Sequence, residues 1–205
     1  MCGIPGQSRA SFASSIDEAL GLGVTHVSIY PLTVEEGTPL ARATRRGTFP
    51  PLNEDEQADH MELAAEKLIA AGFERYEVAN YALPGYESKH NSLYWSGVPY
   101  LGIGQSAVTM TQNEYRRMRK QDETITDDLG PAQMLAEDLM LAMRMSRGVE
   151  VSRVQAAEGL LPGAQACFEE LCALGLVTGD DGHYRPTARG WLCGNELYGR
   201  IFDLA

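Results

Sequence analysis

One stretch of the sequence, KHNSLYW at residues 89–95, concentrates side chains that could do chemistry. It holds the imidazole of His90, the amide of Asn91, the phenol of Tyr94 and the indole of Trp95, in a segment predicted to be a loop. A neutral imidazole nitrogen is a common metal ligand, and phenol and indole rings offer flat, amphipathic surface. The residues alone leave two structural interpretations open: a hydrogen-bonded loop histidine, which is the commoner case, and aromatic rings that cover one end of a barrel.

Polar residues and glycines also fall where predicted strands end, in the segments GIPGQ, YPLT, NYA and GQSA. The carboxyl ends of parallel strands meet at one edge of a sheet or barrel, and functional residues cluster there. Glu77 and Asn80 are then either polar pocket residues or ordinary surface. Gly102 and Gly104 either let a ligand approach the backbone closely or only relieve crowding where a sheet bends.

Strands and helices alternate in the part of the chain that would position these residues. The pattern predicts a strand stub at the start, a helix at Ala10 to Leu22 after the N-cap Ser8, and a strand in VTHVSIYPLTV. It then predicts a helix at Glu54 to Ala71, which begins with a capping box of Asn53 and Glu56. Two further strands are predicted in FERYEVANYA and YLGIGQSAVTM, with a long loop between them in PGYESKHNSLYWSGVP. This order is typical of βαβ units, which wind into a parallel sheet or part of a barrel. The stub at the start indicates a chain cut inside a larger fold.

The pattern changes after about residue 125. It predicts helices at Pro131 to Met145, after a cap at Ser152 and at Gly163 to Leu174, two short strands around the turn GDDG, and a last helix from Thr187 towards Leu204. Helices followed by a hairpin and a helix suggest a small winged-helix-like domain.

The charge balance disfavours a nucleic-acid partner. The 205 residues carry a net charge of -11, and the last predicted helix holds only two arginines, so a DNA-binding regulator is opposed. The basic cluster Arg116, Arg117, Arg119 and Lys120 is expected to be a solvated surface face. No apolar run approaches the ~20 residues of a membrane span, and the expectation is a cytoplasmic protein without an integral membrane segment.

The segments GIPGQS, HVSIYPLTVEEGTPL, GFERYEVANYALPGYESKHNSLYW, YLGIGQSA and LVTGDDGHYRPTARGWL resemble, in that order, the second half of the oxygen-independent coproporphyrinogen III oxidase-like radical SAM proteins. The pattern H-N-x-x-Y-W resembles the signature of their haem-chaperone branch, the HemW type. The resemblance implies an α/β fold class with a partial (βα) radical SAM barrel at residues 1–112, a linker at 113–130, and a small helical, winged-helix-like C-terminal domain at 131–205.

The resemblance also implies site residues. His90 would ligate haem iron, with Asn91, Tyr94 and Trp95 completing the haem site. The S-adenosylmethionine pocket of the family corresponds here to Met1, Thr33, Val108, Gly102 and Gly104. The implied partners are haem or porphyrin and haem-acceptor proteins, and an open barrel edge would favour self-association.

One departure from the family concerns its iron-sulfur cluster. The sequence has no C-x-x-x-C-x-x-C motif, and Cys2, Cys167, Cys172 and Cys193 cannot replace it by spacing, so they are expected to be reduced, mostly buried thiols. S-adenosyl-L-methionine and a [4Fe-4S] cluster are therefore expected only in a full-length protein, and this chain alone is expected to be catalytically inactive.

Two functions remain open at the level of sequence. The first is a fragment of a haem chaperone that binds haem and delivers it. The second is a fragment of the coproporphyrinogen dehydrogenase, which converts two propionate side chains to vinyl groups by radical decarboxylation. The segment HNSLYW favours the chaperone, whereas GIGQSAVTM favours the dehydrogenase, because the chaperone branch more often has a G-P-G-A-H-S-like stretch there.

Overall fold

The computed structural model describes residues 1–50 and 52–205, in which helices alternate with short strands. The contacts within the chain group into two compact units, Met1–Glu87 and Ser88–Ala205. Within the described ranges, no helix is long and apolar enough to cross a membrane.

The first unit contains three helices and three strands among its described residues. They are α1 (Arg9–Gly21), β1 (His26–Ser28), α2 (Pro39–Arg45), α3 (Glu54–Ala70), β2 (Glu74–Arg75) and β3 (Asn80–Ala82). Both predicted caps are confirmed, because the Ser8 hydroxyl accepts from the Ser11 amide at 3.1 Å and Asn53 Oδ1 accepts from the Glu56 amide at 2.8 Å. The Glu56 carboxylate in turn accepts from the Asn53 amide at 3.2 Å, which completes a capping box.

The strands of the first unit pair antiparallel, so the predicted parallel pairing is wrong for them. β3 lies between β1 and β2 and runs against both, with Ala82 opposite His26 on one side and Glu74 on the other. β1 and β2 therefore run in the same direction, as a βαβ crossover requires. The sequence pattern missed the tight turn over residues 76–79, which folds β3 back between them.

The start of the chain joins this unit through one parallel bridge. Cys2 pairs with Pro31, its amide donating to Tyr30 O at 2.9 Å and its carbonyl accepting from the Leu32 amide at 2.8 Å. The predicted strand stub is thus reduced to a single bridge. The core beside it is formed by apolar residues of α1, α3, β3 and the segment before β2, including Phe12, Ile16, Leu63, Leu68, Phe73 and Tyr81.

The second unit begins with a helix and an antiparallel meander. The elements are α4 (Lys89–Trp95), β4 (Val108–Gln112), β5 (Arg117–Gln121) and β6 (Thr124–Leu129), and the strands lie in the order β4-β5-β6. Tyr100 extends this sheet by a bridge to Met110. Residues 113–130, expected to be a linker, thus carry two paired strands, while the predicted domain limits at 112 and 131 stay a prediction.

The remaining elements are α5 (Pro131–Ala142), β7 (Val149–Glu150), α6 (Val151–Ala157), α7 (Ala164–Ala173), β8 (Val177–Asp180), β9 (His183–Pro186), α8 (Ala188–Leu192) and α9 (Gly194–Phe202). The hairpin around GDDG is confirmed, and its strands form a sheet in the order β7-β9-β8. The prediction that Ser152 caps a helix is wrong, because Ser152 lies inside α6, whose N-cap is Glu150. The prediction of a single last helix is also wrong, because Cys193, with ψ at 32°, separates α8 from α9.

Gly148 provides a test of the pairing of β7 with β9 in the last sheet. It has φ at +65°, and a Cβ placed on it would lie 1.9 Å from the carbonyl oxygen of Tyr184 in β9. Gly148→Ala should therefore lower the free energy of unfolding by about 2 kcal/mol or more, because a methyl group would part β7 from β9. Urea unfolding measures the change. Gly159→Ala, where nothing lies within 4 Å of the added Cβ, is the control and should change stability by less than about 0.5 kcal/mol. Equal stability of the two variants would contradict the pairing of β7 with β9.

Candidate functional site

KHNSLYW folds as the helix α4, so its prediction as a loop is wrong. Ser88 is the N-cap, and its hydroxyl accepts from the Asn91 amide at 3.3 Å. The helix ends at Trp95, and Gly97 follows with φ at +68°. A serine before the segment and a glycine after it are both helix-boundary signals, and these were the signals available in the sequence.

One face of α4 presents His90 to solvent. His90 and Tyr94 are four residues apart, so they lie on the same helix face, and both are exposed. Their ring centroids are 4.9 Å apart at an interplanar angle of 72°, an edge-on contact. Leu93, which is 53% exposed, adds an apolar side chain beside them. An accessible imidazole with aromatic and aliphatic neighbours is therefore available at this surface.

Trp95 instead holds the helix to the rest of the second unit. The guanidinium of Arg144, just after α5, lies 4.9 Å from the Trp95 ring centroid and 4.4 Å from that of Tyr198 in α9. The cation is therefore in contact with two aromatic rings from two different helices. Next to Trp95, the Ser96 hydroxyl accepts from Arg147 at 3.1 Å. The C-terminal end of α4 is fixed by these two arginines.

Beneath α4 lies a buried ion pair between β5 and α5. Arg117 is only 1% exposed and donates to Glu137 at 2.5 Å and to Asp138 at 2.7 Å. A Cβ on Gly97 would lie 2.9 Å from Asp138 Oδ1 and 3.1 Å from Arg117 Nη2, so the chain after α4 packs directly on this pair. The expectation that the basic cluster is a solvated surface face is wrong for Arg117.

Arg119 forms a second link between the sheet and α5. Its guanidinium lies 2.9 Å from Glu137 and 3.2 Å from Asp127. Burial acts to lower the pKa of Arg119, but the hydrogen bonds and charges of Glu137 and of the Tyr100 phenol outweigh it and raise that pKa. Arg119 therefore remains a cation beside the Tyr100 ring.

The positions assigned to S-adenosylmethionine lie in both units. Met1 and Thr33 belong to the first unit and are exposed. Gly102 and Val108 belong to the second, where a Cβ on Gly102 would lie 2.4 Å from the Val108 carbonyl oxygen. Gly104, with φ at +106°, accepts from the Ala107 amide at 3.2 Å in a turn. The structure thus brings Gly102 and Val108 together, and the close approach at Gly102 is made by the Val108 backbone.

Two polar residues of the first unit are buried, so they are not ordinary surface. Glu77 and Asn80 are each 1% exposed. Glu77 Oε1 accepts from the Ala79 amide at 2.9 Å, while Asn80 Oδ1 has no hydrogen-bond partner among the described residues. The Glu77 carboxylate shapes the turn that sends β3 back between its neighbours.

The four cysteines do not fit an iron-sulfur cluster. Cys2 is buried in the first unit, and the other three, which are partly buried, lie in the second. Burial raises the pKa of the thiols of Cys2, Cys167 and Cys172, which disfavours the thiolate that a cluster requires. Over residues 1–50 and 52–205, no group of three or more His, Cys, Asp or Glu side chains is arranged to hold a metal ion.

Comparison with known proteins finds relatives that are named HemW or radical S-adenosyl methionine domain-containing protein 1. No protein-family model matches it. It is 37% identical over 170 residues to "Heme chaperone HemW" of Mycobacterium tuberculosis, a match that covers 76% of this chain and 43% of the relative. The HemW protein of Bacillus subtilis is 30% identical, over 97% of this chain and 56% of the relative. The mouse protein "Radical S-adenosyl methionine domain-containing protein 1, mitochondrial" is 32% identical, in a match that covers 93% of this chain and 48% of the relative.

A solved structure has the same fold. The radical SAM enzyme coproporphyrinogen III oxidase (HemN) of Escherichia coli matches with a TM-score of 0.69 at 15% identity, over 97% of this chain and 52% of that one. At this identity the likeness shows the fold alone. The chain spans about half the length of the curated relatives it matches.

The cysteine geometry predicts that this chain does not assemble a [4Fe-4S] cluster. A cluster needs thiolates that converge on one site, and the residues described here provide no such group. Anaerobic reconstitution with iron and sulfide, followed by desalting and iron analysis, is the measurement. Retention of about four iron atoms per chain with a visible charge-transfer band would contradict the expectation.

Proposed function

We propose that this chain, a homologue of the HemW-type haem chaperones, binds haem through α4 and takes part in delivering it to acceptor proteins. The observation that carries the proposal is the exposed imidazole of His90 on a helix whose other end is fixed by Arg144 and Arg147. A neutral imidazole nitrogen is a standard axial ligand of haem iron. Haem is here the cargo of the protein.

The surface around His90 suits a porphyrin. Tyr94 is 39% exposed and Leu93 is 53% exposed, so both can lose water to a flat apolar face. Burying the apolar area of a macrocycle contributes several kcal/mol by area, which is enough for about micromolar binding after the entropy lost on association. Asn91 and Trp95 are half-buried. In this proposal Trp95 acts chiefly by fixing α4, and Asn91 borders the site.

The remaining family features are proposed for a full-length protein. Met1, Thr33, Gly102, Gly104 and Val108 would line the S-adenosylmethionine pocket, and the [4Fe-4S] cluster would require cysteines other than those of this chain. The likeness to the HemN fold supports a partial radical SAM barrel. The order α5-β7-α6-α7-β8-β9 supports a winged-helix-like domain at the C-terminal end.

Two partner proposals follow from the same resemblance. Haem-acceptor proteins would receive the cargo from the exposed face of α4. Self-association would use the outer strands of the first sheet, β1 and β2, which are three and two residues long. Edges this short offer few unpaired backbone groups, so we expect this association to be weak.

Replacing His90 tests the haem proposal. His90→Ala removes the proposed iron ligand while leaving the helix propensity intact, so we expect a shifted Soret band and at least about tenfold weaker binding of haemin. The measurement is a spectrophotometric titration of the whole chain with haemin.

The matched control is His183→Ala, which removes a partly exposed imidazole elsewhere in the same unit. A second control is His26→Ala in the first unit, whose ring lies 2.9 Å from the Tyr76 phenol. Both should bind haemin like the wild type. Identical spectra and affinity for wild type and His90→Ala would refute haem ligation by His90 and favour the coproporphyrinogen dehydrogenase hypothesis.

A further inference from the structure

We infer that Tyr100 is a positioning residue for His90 and acts on it through the ring of Tyr94. The inference rests on the proposed function, because His90 matters here as the ligand of the haem iron. Tyr100 lies outside the pattern H-N-x-x-Y-W, and its ring contact is with Tyr94.

Three rings form a continuous line from the sheet to the surface. The centroids of Tyr100 and Tyr94 are 4.6 Å apart with a 46° tilt, and those of Tyr94 and His90 are 4.9 Å apart at 72°. Both distances fall in the range of favourable aromatic pairs, and the contact of Tyr94 with His90 has the edge-on geometry that such pairs prefer. Tyr94 therefore has a ring neighbour on each side, and a change at Tyr100 reaches His90 through a single intermediate ring.

Tyr100 is the anchored member of this line. Its backbone amide donates to the Met110 carbonyl oxygen at 3.1 Å, and its carbonyl oxygen accepts from the Met110 amide at 2.9 Å. Met110 is opposite Tyr100 on one side and opposite Arg119 on the other. Because residues directly opposite each other in a sheet share a face, the side chains of Tyr100 and Arg119 lie on the same face as Met110, which is 2% exposed. The Tyr100 phenol lies beside the Arg119 guanidinium, which is held by Glu137 at 2.9 Å. The backbone of Tyr100 is thus fixed in the sheet, and its phenol borders the Arg119 guanidinium.

His90 needs such support because of its place in the fold. It is an exposed side chain in the first turn of a seven-residue helix, and the arginine contacts that fix this helix are at its other end. An exposed imidazole samples several rotamers, and binding iron requires one of them. Contact with Tyr94, backed by Tyr100, restricts that choice before the haem arrives.

Removal of the Tyr100 ring is the test. Tyr100→Leu should weaken haemin binding about two- to tenfold, the range that one aromatic pair contributes. Tyr100→Phe keeps the ring and should restore binding to within about twofold of the wild type. Tyr115→Leu is the control, because Tyr115 is 67% exposed in the turn before β5. In a His90→Ala background, Tyr100→Leu should cause no further loss.

A second measurement needs no haem. Proton NMR of the free chain follows the Hδ2 and Hε1 signals of His90, which sense the neighbouring aromatic rings. We expect both signals to move towards unstructured histidine values in Tyr100→Leu and to stay in place in Tyr100→Phe and Tyr115→Leu. Circular dichroism confirms that each variant is folded. A purely structural role of Tyr100 would lower the melting temperature and leave the His90 signals of the folded chain unchanged.

The outcomes separate this inference from the proposed function. If His90→Ala weakens binding but Tyr100→Leu binds like Tyr115→Leu, the inference is wrong and haem ligation stands. If Tyr100→Leu weakens binding equally with and without His90, Tyr100 does not act through the imidazole and the inference is again wrong. If His90→Ala changes nothing, haem ligation is wrong and the inference falls with it.

Discussion

A buried cation fixes the geometry of the second unit. Arg117 is 1% exposed and is compensated by the carboxylates of Glu137 and Asp138, both on α5. Removing either partner would leave charge in an environment with little water, which is strongly destabilising, so β5 and α5 are constrained to stay together. Gly97 packs against the same groups, and a side chain there would collide with Asp138. The chain directly after α4 is therefore packed against this ion pair.

This constraint divides α4 into a fixed side and an open side. Trp95 lies on Arg144, whereas His90 and Tyr94 face solvent. In the proposed function the iron ligand must be accessible and held on a fixed element, and His90 is an exposed side chain on a helix anchored at its other end. Glu137, which pairs with Arg117, also pairs with Arg119, and Arg119 lies beside the Tyr100 phenol. The Tyr100 ring in turn contacts Tyr94 near the surface. The end of α4 held by Arg144 and Arg147 is thus fixed, while the face that carries His90 and Tyr94 stays exposed.

Local signals in the sequence were enough to predict several elements. The N-cap of α1 and the capping box of α3 act within four residues, and the GDDG turn fixes its own hairpin. The insertion of β3 between β1 and β2 was not predictable in this way, because it depends on a turn over residues 76–79 and on pairing between distant segments. The burial of Arg117 was missed for a similar reason. It belongs to a run that also holds Arg116, Arg119 and Lys120, which suggests a solvated face, and its carboxylate partners are twenty and twenty-one residues away.

The candidate site was predictable in residue type but not in geometry. The residues of HNSLYW were identified, yet the sequence grouped Tyr94 and Trp95 as one aromatic surface. The helix places them on different sides, since only residues three or four apart share a face. The role of Tyr100 depends on sheet register, with Met110 opposite both Tyr100 and Arg119, and this register is a property of the fold.

The most direct measurement is pulsed electron paramagnetic resonance of the ferric haem complex, formed with a chain whose histidines carry ¹⁵N. We expect hyperfine coupling between the iron spin and an imidazole ¹⁵N in the wild type and in His183→Ala, and loss of that coupling in His90→Ala. Coupling that persists unchanged in His90→Ala would show that another group ligates the iron, and it would contradict the assignment of α4 as the haem-binding helix.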